Sequence, residues 1–447
     1  MIKRKEALQK TNDFLEKYRD EIEHFLKELI EIPSMNTGMR DQGEEHEVQK
    51  WLKRQFQKAS FHKIDLWTVD SKNKRPNLVG TIKGRGRGKA LILQGHCDVV
   101  PVHEMDEKLW NSPPWKAYVK DGLVYGRGSS DDKGGLTAIY WAARSLVESG
   151  IPLRGDLYIE SVIGEESKQG QDIGASATVD RGYRAPFAII VEPTNCEVQI
   201  ESLSVFVFEL SIQGKPFHAC ARDRVIFPKR FGITSGEEVG VDAISKGFKF
   251  IRLFQELEKE WNAGWKGKIQ DMGGYPLNRN GRGDGIFLIN PSFFQGGTYI
   301  ASIPSECKIL CVVSHPNWIE TKKVKSKILQ AIDRIVQKDR WLKDHPPQFD
   351  FSEAREWKAS KVPQNHPGVR MLGKVFEEVT GNPPIYSGFR AASDATFMAD
   401  KGIPTVLFGP GDISRGIHGV DECVPIEQVI TCAKAYAAMT INWCGLA

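Results

Sequence analysis

Cysteine is sparse in this sequence, and its spacing lacks the patterns of a cysteine-based site. Eight cysteines are spread over 447 residues, and no two of them form a Cys-x-x-Cys pair. This spacing does not support a zinc finger, and cysteines scattered through a long chain are typical of a protein kept in a reducing compartment. We therefore expect free thiols and a cytoplasmic location.

The sequence also lacks a strong charge of either sign and a long hydrophobic run. The net charge is only +4 and the basic residues are scattered, so no nucleic-acid partner is predicted. No apolar run approaches the length that spans a membrane. Residues 1–6 are mostly charged and precede a helical pattern rather than an apolar signal core. We expect no membrane association.

A phosphate-binding loop is absent as well, although one stretch is rich in glycine. Residues 126–135 read GRGSSDDKGG. The G-x-x-x-x-G-K-[ST] order is missing, and Asp131 and Asp132 would repel a phosphate. Two interpretations of Asp131 remain: a cap at the start of the following helix, or a ligand of a metal ion. The choice depends on which other ligands the chain supplies.

The length and the order of elements predict two domains. A chain of 447 residues exceeds one ordinary core, and its composition is that of a globular protein. Strands alternate with helices before residue 192 and after residue 363, which favours an α/β fold with a mixed sheet and helices on both faces. Residues 203–358 follow the order β-α-β-β-α-β of a ferredoxin-like α+β domain. We predict a first domain at 1–202 and 359–447, an inserted domain at 203–358, long loops at 221–241 and 262–284, and a last inserted strand at 348–354.

Polar residues directly follow several predicted strands. The strand at residues 90–94 leads to His96 and Asp98, whose side chains share one side because the period of a strand is two. Glu165 and Glu166 follow the next strand, and Glu192 follows the one after it. In an open parallel sheet, ligands bind at the carboxyl ends of the strands. Each residue alone has an ordinary structural explanation, such as a buried histidine or a pair of surface glutamates.

Together, the nitrogen and oxygen donors at this predicted edge suit a metal site. They are His96, Asp131, Glu166, Glu192 and His418. Because no cysteine is among them, they favour a hydrolytic site for two zinc ions. Each ion would take one histidine and one carboxylate, and the fifth residue, also a carboxylate, would be shared. The spare Glu165 would act as the general base on the attacking water.

The motifs around these residues resemble those of a zinc metallopeptidase family that includes aminoacylase, acetylornithine deacetylase, succinyl-diaminopimelate desuccinylase and glutamate carboxypeptidase. The resemblance covers nearly the whole chain. It rests on GHCDVVP at 95–101, YGRGSSDDKG at 125–134, GEES at 164–167, EPT at 192–194, SDA at 393–395 and HGVDE at 418–422. It implies a di-zinc aminopeptidase-like catalytic domain with one metal on His96 and Glu192, the other on Glu166 and His418, and Asp131 between them.

The resemblance implies further roles around the metals. Asp98 would orient His96, and Glu165 would be the general base. The peptide bond between Asp131 and Asp132 would be cis. The cofactors would be two divalent ions per subunit, zinc in the first place, with cobalt and manganese as alternatives.

The resemblance also gives the inserted domain a role as a lid and dimerisation domain. In the motif GKPFH at 214–218, His218 matches a lid histidine that reaches the active site of the partner subunit. A lone histidine after a strand would otherwise be an ordinary surface residue. The resemblance therefore implies a homodimer formed through the lid.

Three features depart from the family pattern, and they concern the substrate. Residues 221–241 form a longer, charged stretch after the lid histidine. Ala301 stands where many members carry an asparagine that contacts the substrate. The strand at 307–316 lacks the arginine that some members use to hold a substrate carboxylate. Arg390 is a candidate replacement, with an ordinary surface arginine as the alternative interpretation.

These residues predict a metal-dependent hydrolase that cleaves the amide bond of a small N-acyl amino acid or a related compound. A dipeptidase or carboxypeptidase on the same scaffold is the alternative within the enzyme class. A non-catalytic binding protein that kept the fold would have lost a ligand or the base, and all of them are present in this sequence.

Overall fold

The computed structural model describes residues 2–36, 43–69, 74–166, 173–264, 287–351 and 356–447. The chain forms two compact units. The first comprises Met1–Ser202, Ser360–Phe389 and Ser393–Ala447, and the second comprises Leu203–Ala359 with Arg390–Ala392.

The strands and helices have the following bounds. The strands are β1 (Lys63–Thr68), β2 (Pro76–Ile82), β3 (Leu91–His96), β4 (Tyr118–Lys120), β5 (Leu123–Tyr125), β6 (Leu157–Val162), β7 (Ala188–Ile190), β8 (Val198–Ser202), β9 (Ser204–Gln213), β10 (Leu288–Gly296), β11 (Glu306–His315), β12 (Gln348–Asp350), β13 (Glu356–Trp357), β14 (Tyr386–Phe389), β15 (Thr405–Leu407) and β16 (Cys423–Pro425). The helices are α1 (Arg4–Lys17), α2 (Arg19–Ile30), α3 (Glu45–Lys58), α4 (Glu104–Glu107), α5 (Lys133–Glu148), α6 (Ala175–Asp180), α7 (Arg222–Ile226), α8 (Ala243–Gly264), α9 (Thr321–Val336), α10 (Arg340–Asp344), α11 (Pro367–Thr380), α12 (Ala395–Asp400) and α13 (Ile426–Cys444).

The first unit is built on an eight-stranded mixed sheet. The strand order is β1-β2-β6-β3-β7-β15-β8-β14. Strands β3, β6, β7 and β15 pair in parallel, while β1, β2 and β6 pair antiparallel. Both β2 and β3 are buried along their whole length, as expected for central strands covered on both faces. The predicted α/β fold with a mixed sheet is confirmed.

The parallel pairing brings the segments that follow the strands to one edge of the sheet. Strands β3 and β6 run in register from Leu91 opposite Leu157 to His96 opposite Val162. Strand β7 is parallel to β3 on its other side. The residues after these strands therefore emerge together at the carboxyl edge, where ligands bind in sheets of this kind.

Helix α5 positions the segment before it, which carries Asp131, against this edge. Its first turn lies so close to the segment after β7 that a Cβ on Gly135 would stand 2.4 Å from the carbonyl oxygen of Val191. Only glycine allows that approach. Further along, Tyr140 stacks on Phe25 with ring centroids 4.5 Å apart, and Trp141 meets the same ring edge-on. This buried aromatic packing holds the loop before α5 in place.

The second unit contains a five-stranded antiparallel sheet. Its order is β10-β11-β9-β12, with β13 also paired to β9. Alternate residues of β11 are buried, so one face of the sheet is covered. Phe208 and Phe254 pack edge-on with centroids 5.7 Å apart and join strand β9 to helix α8. The predicted ferredoxin-like order of elements is confirmed.

Some predicted elements differ from the structure. The segment 221–241, predicted as a loop, contains helix α7 and the 3₁₀ turns Pro228–Phe231 and Gly236–Glu238. The last turn has a capping box, in which Ser235 and Glu238 bond each other's backbone. Residues 262–264 of the loop predicted at 262–284 belong to helix α8, and the rest of that loop lies outside the described residues. Residues 352–354 of the last predicted strand and Ser167 of the motif GEES also lie outside them.

No described helix is both long enough and apolar enough to cross a lipid bilayer.

Candidate metal centre

His96 ends β3 and is almost fully buried. Its Nε2 atom lies 2.9 Å from Oδ1 of Asp131, and its Nδ1 atom lies 2.9 Å from the carbonyl oxygen of Asp98. The carboxylate of Asp98 is farther away, with Oδ1 at 3.8 Å from Nδ1. Burial alone would lower the pKa of His96, but the hydrogen bond and charge of Asp131 raise it well above its usual value. In this arrangement the backbone of Asp98 holds the ring by Nδ1, which leaves Nε2 facing the site.

Asp131 lies between two histidines. Its Oδ1 atom meets His96, and its Oδ2 atom is 3.5 Å from Nε2 of His418. Burial would raise the pKa of Asp131, but the hydrogen bonds and charges of these two imidazoles hold it below its usual value. The peptide bond from Asp131 to Asp132 is cis, as the resemblance implied.

His418 completes a second cluster on the other side of Asp131. Its Nε2 atom is 3.0 Å from Oε1 of Glu166. The charge of Glu166, with a further contribution from Asp131, raises the pKa of His418 to about 11. His418 has a positive φ of 59°, a backbone conformation that is uncommon for a residue other than glycine.

The five predicted ligands and the predicted base Glu165 fall into overlapping groups, and within each group the potential ligand atoms lie within 4.8 Å of one another. One group is His96, Asp131 and Glu192; another is Asp131, Glu166 and His418; a third is His96, Glu165 and Glu166. Asp131 belongs to two of these groups, and each of those two contains one histidine and one further carboxylate.

The donor set fits hard or borderline divalent cations. All donors are carboxylate oxygens or imidazole nitrogens, which suit zinc, cobalt and manganese. Glu192 is buried, and its Oε1 atom is one of the buried oxygens with no hydrogen-bond partner. Burial and the charges of Glu165 and Asp131 raise the pKa of Glu192 well above its usual value. Cations bound here would satisfy this buried oxygen and the clustered negative charge.

Glu165 belongs to the third group, together with His96 and Glu166. Burial raises its pKa well above the usual value, and the charge of Glu166 adds to the effect, while His96 opposes it. A carboxylate with a raised pKa can both accept and return a proton near neutral pH.

Glu422 supports the centre, although the sequence alone predicted no role for it. The buried carboxylate of Glu422 accepts hydrogen bonds from the backbone N–H groups of Gly128, Ser130 and Asp131. Nη1 of Arg127 also donates to it at 2.7 Å. Glu422 therefore fixes the backbone that presents Asp131. It belongs to the motif HGVDE, but nothing in the sequence revealed its backbone partners.

Asn36 holds another residue of the centre, Asp98, in place. Its Nδ2 atom donates to Oδ2 of Asp98 at 2.7 Å, and the backbone N–H of Glu166 donates to the same oxygen at 3.1 Å. Asp98 thus connects the segment after β3 to the segment after β6.

The two remaining predicted site residues belong to the second unit. His218 is exposed, and its Nδ1 atom accepts a hydrogen bond from the backbone N–H of Cys220 at 3.2 Å. In the neutral ring this leaves the proton on Nε2, which makes that atom a donor. Arg390 is exposed and lies in the short segment Arg390–Ala392 of the second unit.

Comparisons with known proteins identify the family to which this chain belongs. The model of peptidase family M20/M25/M40 matches residues 92–442. The chain is 31% identical over 444 residues to the N-formyl-4-amino-5-aminomethyl-2-methylpyrimidine deformylase of Bacillus subtilis, covering 96% of each chain. It is 28% identical over 442 residues to the protein of that name from Halalkalibacterium halodurans, covering 97% of this chain and 96% of the relative.

A solved structure shows the same fold. It is the di-peptidase Dug1p from Saccharomyces cerevisiae, which superposes with a TM-score of 0.74 at 14% identity and covers 98% of each chain. The family predicted from the motifs is thereby confirmed, and it includes dinuclear metal-binding peptidases. This chain belongs to peptidase family M20/M25/M40 and is a metal-dependent amide hydrolase.

Proposed function

We propose that this enzyme removes a formyl or other short acyl group from the nitrogen of a small amine, using two divalent metal ions. The observation that carries the proposal is the position of Asp131, whose two carboxylate oxygens face two different histidines. His96 and Glu192 would hold one ion, Glu166 and His418 the other, and Asp131 would contact both. When bound, the two ions would polarise the scissile carbonyl group and make the attacking water more acidic.

Glu165 would handle the protons of the reaction. It would take a proton from the attacking water and later give one to the nitrogen of the leaving amine. Its raised pKa supports both roles, since the protonated form persists until the amine departs. The site itself would be positioned by Asp98 through His96 and by Glu422 through the backbone of Asp131.

The substrate proposal rests on the relatives and on one departure in the second unit. The two relatives are named as deformylases of an aminomethylpyrimidine compound. Strand β11 contains no arginine, so it lacks the group that some family members use to hold a substrate carboxylate. We therefore place an N-formylated aminomethyl heteroaromatic amine first and an N-acyl amino acid second. Only the second class would give Arg390 a carboxylate to bind.

A substrate panel tests this order. The zinc-loaded enzyme would be given N-formyl, N-acetyl and N-succinyl derivatives of an aminomethylpyrimidine and of an amino acid, together with dipeptides. We expect the formylated pyrimidine to have the highest kcat/KM, at least about tenfold above its acetyl analogue, because a site that fits formyl tightly excludes a methyl group. Faster cleavage of the dipeptides would replace this proposal with a dipeptidase.

We further propose a homodimer formed through the second unit. Strand β10 stands at the end of its sheet, and no described strand pairs with its outer edge. Phe293 on this strand is 63% exposed, and Phe294 and Leu288 are also exposed. An exposed apolar edge strand is suited to antiparallel pairing with a second copy across a two-fold axis. A Phe293→Lys variant should then run as a monomer in light scattering, while a Lys308→Gln control stays dimeric.

His218 is proposed to act across that interface. Its donor Nε2 atom suits stabilisation of a negatively charged oxygen in the site of the partner subunit. Mixing inactive His218→Ala and Glu165→Gln subunits would create one intact site in each mixed dimer. Recovery to about a quarter of wild-type activity is expected if exchange is random. No recovery, with exchange confirmed by mass-tagged subunits, would mean that His218 does not act in trans.

All eight cysteines are free thiols, which supports the proposed cytoplasmic location.

A further inference from the structure

A groove on the first unit has no role in the hydrolytic reaction. It consists of two adjoining clefts that share Met371 and Asn442. One cleft, of about 270 Å³, is lined by Arg87, Lys89 and Arg154. The other, of about 360 Å³, is lined by Arg4, Arg370 and Lys374. We call these two clefts together the cationic groove.

The cationic groove lies at the opposite edge of the sheet from the metal centre. Arg87 and Lys89 precede β3, and Arg154 precedes β6, while His96 stands at the far end of β3. Because β3 and β6 are parallel, the residues that precede these two strands lie together at the amino edge of the sheet. A six-residue strand separates the two edges by roughly 17 Å. The groove is therefore a separate site and not part of the catalytic cleft.

Most of the positive charge of this groove is not compensated by an ion pair. Among the described residues, no aspartate or glutamate lines either cleft. Arg4 is paired with Glu378, but none of the other five cations forms an ion pair with a carboxylate in the described parts of the chain. These five charges exceed the net charge of +4 of the whole chain. The positive charge also acts on the neighbouring His366, whose pKa is lowered by burial and by the charge of Lys89.

The local structure keeps these cations together although they repel one another. Backbone N–H groups of Gly86 and Gly88 both donate to the carbonyl oxygen of Arg154, at 3.1 and 3.2 Å. This tie fixes the segment that carries Arg87 beside the segment that carries Arg154. Like charges that line the same cleft favour an anion between them.

The chemistry of the groove selects a phosphate-bearing anion. Guanidinium groups bind phosphate oxygens in pairs, and the two clefts offer separate cationic centres for separate phosphate groups. Trp443 is the one aromatic side chain among the described residues that line the groove. It is only 7% exposed and lies beneath Lys89, whose Nζ atom is 4.5 Å from the ring centroid. A nucleobase therefore has no free aromatic face to stack on.

We propose that the cationic groove binds a small oligophosphate, with at least two phosphate groups spanning the two clefts. Recognition is through the phosphates and not through an attached base. Inorganic tripolyphosphate and a nucleoside triphosphate should therefore bind with similar affinity, and orthophosphate should bind at least about tenfold more weakly because it reaches one cleft only.

The test is calorimetric titration of the zinc-loaded enzyme with sodium tripolyphosphate, ATP and orthophosphate at fixed ionic strength. The triple variant Arg87→Gln, Lys89→Gln, Arg154→Gln should weaken tripolyphosphate binding at least about tenfold. A matched triple variant on the second unit, Arg252→Gln, Lys322→Gln, Arg334→Gln, removes the same charge from exposed positions. It should bind tripolyphosphate within about twofold of wild type, since only long-range charge is changed.

Each remaining outcome overturns the proposal. Equal weakening in both triple variants would mean non-specific attraction to a positive surface. Binding of ATP without tripolyphosphate would mean recognition of the base. Groove-dependent binding of a single-stranded oligonucleotide or an acidic peptide, with none of tripolyphosphate, would mean a macromolecular partner. The zinc content of the enzyme is measured after each titration. If wild type and the groove variant lose zinc to the same extent and release the same heat, the heat comes from chelation of zinc by the added phosphate and not from binding in the groove. Unchanged unfolding temperatures of both variants show that they are folded.

Discussion

The interiors of the two units differ in what they bury. The first unit buries many carboxylates, among them Asp98, Asp132, Glu160, Glu192, Asp394 and Glu422. Among the described residues of the second unit, Asp339 is the only buried carboxylate, and the rest of its interior is mostly aliphatic and aromatic. Burying a carboxylate is unfavourable unless it is paired, so a concentration of them indicates a site rather than a core.

The pKa values of the buried carboxylates Glu160 and Asp394 in the first unit and of Asp339 in the second shift in opposite directions, because only Asp339 has hydrogen-bond donors that offset burial. Burial raises the pKa of Glu160 and of Asp394 to about 7 in the first unit. Burial would also raise the pKa of Asp339, but hydrogen bonds from Lys246, Lys249 and the N–H of Leu342 lower it to about 2. The carboxylate of Asp339 therefore has its hydrogen-bond donors within the second unit. The carboxylates around His96 are those that bound cations would satisfy.

The sharpest test of this contrast is Glu165→Gln. The substitution keeps shape and removes the proton acceptor, so kcat should fall by more than ~10⁴-fold, above the usual range for acid–base groups. Metal analysis should still find two ions per subunit. An exposed control, Glu21→Gln, should leave kcat unchanged. Turnover of Glu165→Gln close to wild type would remove this residue from the mechanism.

Substituting the two histidines of the centre tests the assignment of the metal ligands. His96→Ala and His418→Ala should each lose one metal ion while the circular dichroism spectrum stays that of a folded protein. The loaded wild type should also unfold at a higher temperature than either variant, because bound ions stabilise the native state. Two ions retained in both variants would contradict the ligand assignment. His24→Ala, at an exposed helical position, serves as the control.

Substituting Glu422 tests whether a buried carboxylate that is not a metal ligand affects the metal affinity of the centre. Glu422→Gln would turn an amide N–H₂ group toward backbone N–H donors that now bond an oxygen. We expect metal affinity to fall about 10–100-fold, the range seen when a partner of a ligand is lost. Competition with a fluorescent chelator measures this change. Asp421→Asn, at the neighbouring position, should change the affinity less than about twofold, and an equal loss in both variants would indicate general damage to the loop.

How much of this contrast the sequence predicts depends on the range of the interactions. His96, Glu166 and Glu192 could be placed at one edge because each directly follows an apolar strand, and strand direction is a local property. The role of Glu422 could not be predicted, since its partners Gly128 and Asp131 are nearly 300 residues away along the chain.

Other features could not be predicted because their elements are short or because their residues come together only in the fold. Helix α7 and the turns after it are too short to show a helical period, so the segment 221–241 was predicted as a loop. The three-residue strands β4, β5 and β16 carry no alternation that could identify them. The cations of the groove look scattered in sequence because Arg87, Arg154 and Arg370 come together only in the fold.

The smallest expected effect is at Asp339 in the second unit, where the carboxylate has a structural role. Because its folded pKa is depressed to about 2, its contribution to stability is fully present above its usual value of 3.8 and is lost as the pH falls through about 2. Asp339→Asn should therefore lower the free energy of unfolding by about 1–2 kcal/mol at pH 7, and the difference from wild type should shrink toward pH 2. Denaturant titrations at several pH values measure it, with exposed Asp333→Asn as the control. Metal content and kcat should not change, because this charge is already paired within its own unit. A loss of metal on Asp339→Asn would break the contrast between the two interiors.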